Sequence, residues 1–300
     1  MRTAFINELI VQARLHPEIF LVVGDLGFSV IEPFATEFPD RFLNAGVAEQ
    51  NMTGVAAGLA SEGYHVFTYS IANFPTLRCL EQIRNDIAYH HLPVTVVAVG
   101  GGLAYGNLGY SHHAVQDIAC LRTLPNLTVL APGDPGETQE AVAWLAQNPG
   151  PSYLRIGKAG EKVLHSIRGL AQGPLRIKEG TADIALVSTG GILDETLMAA
   201  DSLAQTGMAV AVYSLPWLKP IDPQRLEVLS HYRCLVAVEE HLPEGGLAAV
   251  LREQLPNIIV HSMSVSELVS GKVGSLNFLR HEAGISAAHI ESFCKLLLSK

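Results

Sequence analysis

"NAGVAEQNMTGVAAGLASEG", residues 44–63, sets Glu49 deep inside a run of small, neutral or apolar side chains. Small, close-packing residues at Val47, Gly54, Ala57 and Gly58, with Gly63 as a stop, predict a helix over 48–61 and place Glu49 in its first turn. An exposed carboxylate there would gain about 0.3–1 kcal/mol from the positive helix end. Hemmed in by Val47, Ala48, Val55 and Ala56, it must be paired or protonated, because burying a lone carboxylate costs several kcal/mol. One fitting partner is a ring nitrogen of a bound heterocycle. An acid that shares a proton with such a ring activates it for acid/base chemistry.

Around this helix the chain alternates short apolar runs with longer amphipathic ones. "IFLVVGD" (19–25), "YHVFTYS" (64–70), "VTVVAVG" (94–100) and "LTVLAP" (127–132) read as buried parallel strands, separated by helical patterns near 48–62, 74–90 and 135–147. That rhythm is α/β. It breaks in "SIRGLAQGPLRIKEG" (166–180), which reads as a linker, and restarts with strands in "ADIALVSTGG", "MAVAVYSL" and "CLVAVEE". Helices are expected at "ILDETLMAADSLAQTG", stopped by Gly207, and at "GGLAAVLREQL". The expectation is two three-layer α/β domains with mostly parallel sheets, residues 1–172 and 173–300.

Composition narrows the function classes. With 48% hydrophobic and 16% charged residues in 300, some apolar surface should be covered by another chain. The net charge of −9 includes no basic cluster, so neither nucleic acid nor an anionic membrane is an expected partner. No apolar stretch reaches the ~20 residues of a membrane span, and Met1–His16 reads as an amphipathic helix rather than a signal peptide, so a cytoplasmic location is expected. Cys79, Cys120, Cys234 and Cys294 stand too far apart for a Cys-x-x-Cys and lack histidines at metal spacing. They read as reduced small hydrophobes, and no metal site is expected on this chain.

Longer stretches carry a resemblance. "EFPDRFLNAGVAEQNMTGVAAGLASEG" (37–63) resembles a segment of the transketolase and 1-deoxyxylulose-5-phosphate synthase family, thiamine diphosphate enzymes with "G-x-A-E-Q" or "G-x-R-E-H" at this place. "VVGDLGFS" (22–29) resembles "S-A-D-L-x-x-S", and "GYSHHAVQDIACLRTLPNLTVLAPGDPGET" (109–138) resembles the histidine motif that follows in the same order. "GPSYLRIGK" (150–158) resembles a strand and loop ending in a phosphate-binding arginine, here Lys158. The resemblance covers nearly the whole chain. It implies that Glu49 hydrogen-bonds the cofactor's aminopyrimidine and thereby promotes loss of the thiazolium proton, giving a carbon nucleophile that side chains cannot supply. It also implies that Asp25 and Leu26 lie near the cofactor, that Tyr69 or Phe74 of "FTYSIANFPTLR" stacks on the pyrimidine, that His112 faces the donor, and that Ser29 and Lys158 contact substrate phosphate.

The family's Gly-Asp-Gly motif, with Asn about 25–30 residues later, is missing from the sequence; "VGDLG" and "PGDPG" are the nearest strings. The cofactor's diphosphate and its Mg2+ or Ca2+ would therefore be held by a separate N-terminal subunit, and two such pairs would form a heterotetramer. Transketolases carry a second histidine and an aspartate where this chain has Gly100 and Leu108. These departures leave the sugar or sugar-phosphate substrate open. The reading that results is one subunit of a two-component transketolase moving a two-carbon ketol unit. Two alternatives stay open: the β subunit of a 2-oxoacid dehydrogenase or decarboxylating synthase, and a non-catalytic regulatory or scaffold subunit.

Overall fold

A computed structural model describes the chain except residues 167, 168, 170–172, 267, 268, 270 and 300. The position 172, expected to divide the domains, lies outside the described residues. Two sheets organise the molecule. The first runs β10-β5-β6-β4-β3-β1-β2 and the second β12-β11-β8-β9-β7. The strands of the first are β1 Ile19–Val23, β2 Phe42–Asn44, β3 His65–Ile71, β4 Val94–Val99, β5 Thr128–Leu130, β6 Ser152–Ile156 and β10 Trp217–Lys219; those of the second are β7 Leu175–Lys178, β8 Ile184–Thr189, β9 Ala211–Ser214, β11 Cys234–Glu239 and β12 Ile259–Met263. All pairings are parallel except β10 with β5 and β7 with β9.

The helices are α1 Arg2–Leu15, α2 Glu32–Glu37, α3 Glu49–Ser61, α4 Leu80–Gln82, α5 Asp117–Arg122, α6 Pro135–Gln147, α7 Leu193–Gln205, α8 Leu247–Gln254, α9 Leu276–Glu282 and α10 Ala287–Leu298. Strands β1, β3 and β4 are buried on both faces, which is why they read as continuous apolar runs. Ile19, Leu21, Val23, Phe67 and Tyr69 pack toward α1 and α6, whereas Phe20, Val22 and Val66 join Met52 and Ala56 of α3. That second cluster continues without a break into Val187 and Tyr213 of the other sheet and Leu251 of α8. One core therefore spans both sheets.

Three expectations change. The pattern at 74–90 is not one α-helix but a 3-10 turn at Leu77–Cys79, the short α4, and a π-helix over Ile83–Ala88. The stretch read as linker contains β7, an edge strand of which only Leu175 is buried, so that it lacks the apolar signature of a strand buried on both faces. Strand β10 belongs by sequence to the second half but closes the edge of the first sheet, where Trp217 pairs with Leu130. The four cysteines are free, with Cys79, Cys234 and Cys294 buried. Among the described residues no helix is long and apolar enough to cross a membrane, and no group of three or more His, Cys, Asp or Glu is placed to hold a metal.

Candidate functional site

Glu49 opens α3 and is 1% exposed. Its Oε1 accepts a hydrogen bond from Ser70 Oγ at 3.1 Å, and its Oε2 pairs with Arg78 Nη1 at 3.1 Å. Ser70 lies near the end of β3, and strand alternation turns it toward α3. Gly24, just past β1, completes the wall: a Cβ there would stand 3.3 Å from Ser70 Oγ and 3.5 Å from Glu49 Oε1. The buried carboxylate thus sits where the C-terminal ends of two parallel strands meet a helix N-terminus, the place where open α/β sheets bind ligands. Arg78 is half exposed. No motif in the sequence singles out Arg78 or Ser70, and only the demand that a buried carboxylate be paired points to any partner.

A line of contacts runs outward from Glu49. The Arg78 guanidinium lies 5.0 Å from the Phe74 ring centroid. Phe74 meets His112 edge to face with centroids 5.2 Å apart, and His112 is followed by Tyr105 at 6.2 Å. Lys158 Nζ rests 4.7 Å from the Tyr105 ring centroid. Glu49, Phe74, His112 and Lys158 are thereby joined through two residues that sequence reasoning misses, Arg78 and Tyr105. His112 shares a hydrogen bond at 2.9 Å between Nδ1 and Ser111 Oγ, and burial shifts its pKa below the usual histidine value, which favours the neutral ring. Asn73 Nδ2 donates to the carbonyls of Ser111 and His113 at 3.2 and 2.5 Å and so fixes the backbone on both sides of His112. Position 100 admits no side chain, because φ is +78° and a Cβ would overlap the Tyr105 ring. Leu108 is half exposed on the same loop.

The other expected residues lie on the loop after β1. Asp25, in the left-handed region at φ +54°, exchanges hydrogen bonds with Asn44: Nδ2 to Oδ1 at 2.8 Å, and backbone N–H to Asn44 Oδ1 at 3.1 Å. Leu26 is partly buried against the core beneath. Ser29 is exposed, also at positive φ, and its N–H is held by Glu32 Oε1 at 2.8 Å. The expectation for Tyr69 is corrected. Adjacent to Ser70 on β3, it points to the opposite face, is fully buried, and stacks on Phe5 with centroids 5.6 Å apart and planes at 25°. Its ring supports the loop from below, since a Cβ on Gly27 would approach Tyr69 Cε1 to 2.9 Å. Of the two candidate stacking aromatics, only Phe74 faces the line of contacts from Glu49.

Fold and site together define a two-sheet α/β protein whose polar cluster gathers at the C-terminal ends of the first sheet's strands. Residues 1–160 match the transketolase pyrimidine binding domain and residues 173–290 the transketolase C-terminal domain. The chain belongs to the transketolase family. It is 34% identical to one subunit of the apulose-4-phosphate transketolase of Phocaeicola vulgatus, over 85% of this chain and 83% of that one. It is 33% identical to the 1-deoxy-D-xylulose-5-phosphate synthase of Thermomicrobium roseum, over 87% of this chain but only 42% of the synthase. Among solved structures, that of a split gene transketolase in an inactive beta4 tetramer superposes with a TM-score of 0.87 at 33% identity, covering 99% of this chain and 97% of that one.

Proposed function

We propose that this chain is one subunit of a two-component, thiamine diphosphate-dependent transketolase that transfers a two-carbon ketol unit between sugars or sugar phosphates. The observation that carries the reading is the burial of Glu49 at the start of α3, with a hydroxyl and a half-exposed guanidinium as its partners among the described residues. Those partners fit a nitrogen heterocycle: the guanidinium reaches water and can swing aside, while Phe74 offers an aromatic face nearby. Glu49 would hold the pyrimidine, Phe74 would pack against it, and Asp25 and Leu26 would border it. When bound, the cofactor supplies a nucleophilic carbon. His112, kept neutral by its surroundings, accepts or donates protons at the oxygens of donor or acceptor. Lys158 and Ser29 meet substrate phosphate, the lysine as a point charge rather than a bidentate fork.

Residues 1–172 and 173–300 are the two domains of this reading, with β10 crossing from the second to the first. The partner is an N-terminal subunit bearing the Gly-Asp-Gly motif; it holds the diphosphate and Mg2+, and two pairs assemble as a cytoplasmic heterotetramer. Support comes from the Phocaeicola relative, itself one subunit of a transketolase, and from the split gene transketolase. A second reading, a decarboxylating synthase, is favoured by the identity to the Thermomicrobium protein.

Mixing the chain with its partner, thiamine diphosphate and magnesium tests both. Exchange of the thiazolium proton for deuterium is expected in the mixture and should disappear in Glu49→Gln with assembly intact; undiminished exchange in that variant would remove Glu49 from the role. Carbon dioxide released from a 2-oxoacid donor, without ketol transfer between sugars, would replace the transketolase by the synthase.

A further inference from the structure

The loop that carries His112 is built as much by the second half of the chain as by the first. It leaves β4, closes on itself where Gly102 and Ala114 exchange backbone hydrogen bonds at 2.9 Å, and holds His112 two residues before the closure. Its two ends are anchored outside the first sheet: Leu103 and Val115 belong to the apolar cluster formed by β8, β11 and α7. Leu242 N donates to Val115 O at 2.9 Å. His241, fully buried, accepts from Ala119 N on Nε2 at 3.3 Å, while its Nδ1 lies 2.6 Å from the carbonyl of Leu242. A carbonyl only accepts, so the ring is the neutral Nδ1–H tautomer.

At the centre stands Arg155, on β6 and 3% exposed. Its Nε donates to Asp117 Oδ2 at 2.9 Å, and Nη2 donates both to Ala114 O and to Glu240 O, each at 2.8 Å. One guanidinium group thus ties the closing residue of the His112 loop to the end of β11. Contacts at the glycines show how tight the fit is. A Cβ on Gly102 would come within 2.5 Å of Glu240 Cβ, and one on Gly106, at the loop tip, would overlap Leu279 of α9. Gly274 N also donates to Gly106 O at 3.2 Å.

We propose that Arg155 is a positioning residue, and that through it and His241 the C-terminal domain sets the conformation of the loop presenting His112. This rests on the proposed function for its meaning in catalysis, but the contact network is independent of any substrate. The first readout is hydrogen–deuterium exchange on the full chain. Arg155→Lys keeps a charge beside Asp117 but loses the planar group whose Nε holds that carboxylate while Nη2 holds two carbonyls. Amides of 103–116 should exchange roughly tenfold faster in it, with β3 and β4 unchanged. Loop exchange at the wild-type rate, or equal acceleration across both sheets, overturns the proposal. Should Arg155→Lys fail to fold, His241→Gln is judged by the same two outcomes.

The second readout is kinetic, in the assembled enzyme. Arg155→Lys should lower kcat about tenfold with KM nearly unchanged, and should cost nothing further in a His112→Ala background. Full additivity of the two substitutions overturns action through His112. An assembled protein with no ketol transfer, but with the expected loop-specific exchange, would leave the positioning intact and refute the proposed function instead.

Discussion

At the scale of single residues, the pairing of Glu49 decides how the site is read. A carboxylate 1% exposed retains its charge in a protein only if partners replace water, and here they are Ser70 and Arg78. Breaking a fully buried ion pair costs about 3–5 kcal/mol, but Arg78 is 50% exposed, so water screens it. Arg78→Met should therefore lower the urea-unfolding free energy by roughly 1–2 kcal/mol, and the loss should shrink to near zero in a Glu49→Gln background, where no charge is left unpaired. Equal losses in both backgrounds would show that Arg78 stabilises through packing on Phe74 instead. Glu49, His112 and Lys158 are legible as residues because motif order singles them out, whereas Phe74 is legible only as one of a pair with Tyr69. Arg78, Ser70, Asn73 and Tyr105 are not, since each acts through a neighbour distant in sequence. Tyr69 departs from its expected place because period-2 alternation sends adjacent side chains of a strand to opposite faces, and Ser70 takes the site face.

At the scale of elements, helix and strand ends carry the pH dependence. Glu239, at the end of β11 and fully buried, accepts N–H bonds from Leu247 and Ala248 at 2.5 and 3.0 Å and so caps α8. Burial outweighs these donors and pushes its pKa up from 4.5 to about 7. A carboxyl group raised in the folded state contributes stability that is fully present below its unfolded value and is lost as pH rises through the folded one. Stability from Glu239 should then decline between about pH 4.5 and 7, by on the order of 3 kcal/mol. Glu239→Gln should unfold with a flatter dependence over that window, measured by urea titration at several pH values; the same slope in both proteins would contradict the assignment. Long, doubly buried strands such as β1, β3 and β4 are readable from their apolar runs. The three-residue strands β2 and β10 are too short to display a period.

At the scale of the whole molecule, one apolar cluster draws on both sheets. Trp217 on β10 is fully buried in the core of the first sheet and meets Trp144 of α6 edge to face, with ring centroids 4.5 Å apart. The sequence has two tryptophans, and both sit at this joint. Intrinsic fluorescence therefore reports on docking of the two halves. Its denaturation curve should coincide with far-UV circular dichroism, as one cooperative transition requires; a fluorescence change at lower denaturant would mean the halves separate first. Trp217→Ala should cost about 3–5 kcal/mol by opening a cavity in the first sheet's core, although the residue lies in the second half of the sequence.

By itself the sequence determined the α/β class, the helix with Glu49 in its first turn, the strands buried on both faces and the family, because local periodicity and ordered motifs are written in contiguous residues. Only the tertiary structure decided the rest: that Arg78 and Ser70 satisfy Glu49, that Phe74 and not Tyr69 faces the site, that β10 completes the first sheet, and that Arg155 binds the His112 loop to β11. Each of these is a contact between residues far apart in the chain, and such contacts exist only once the core has closed and buried polar groups have found their partners.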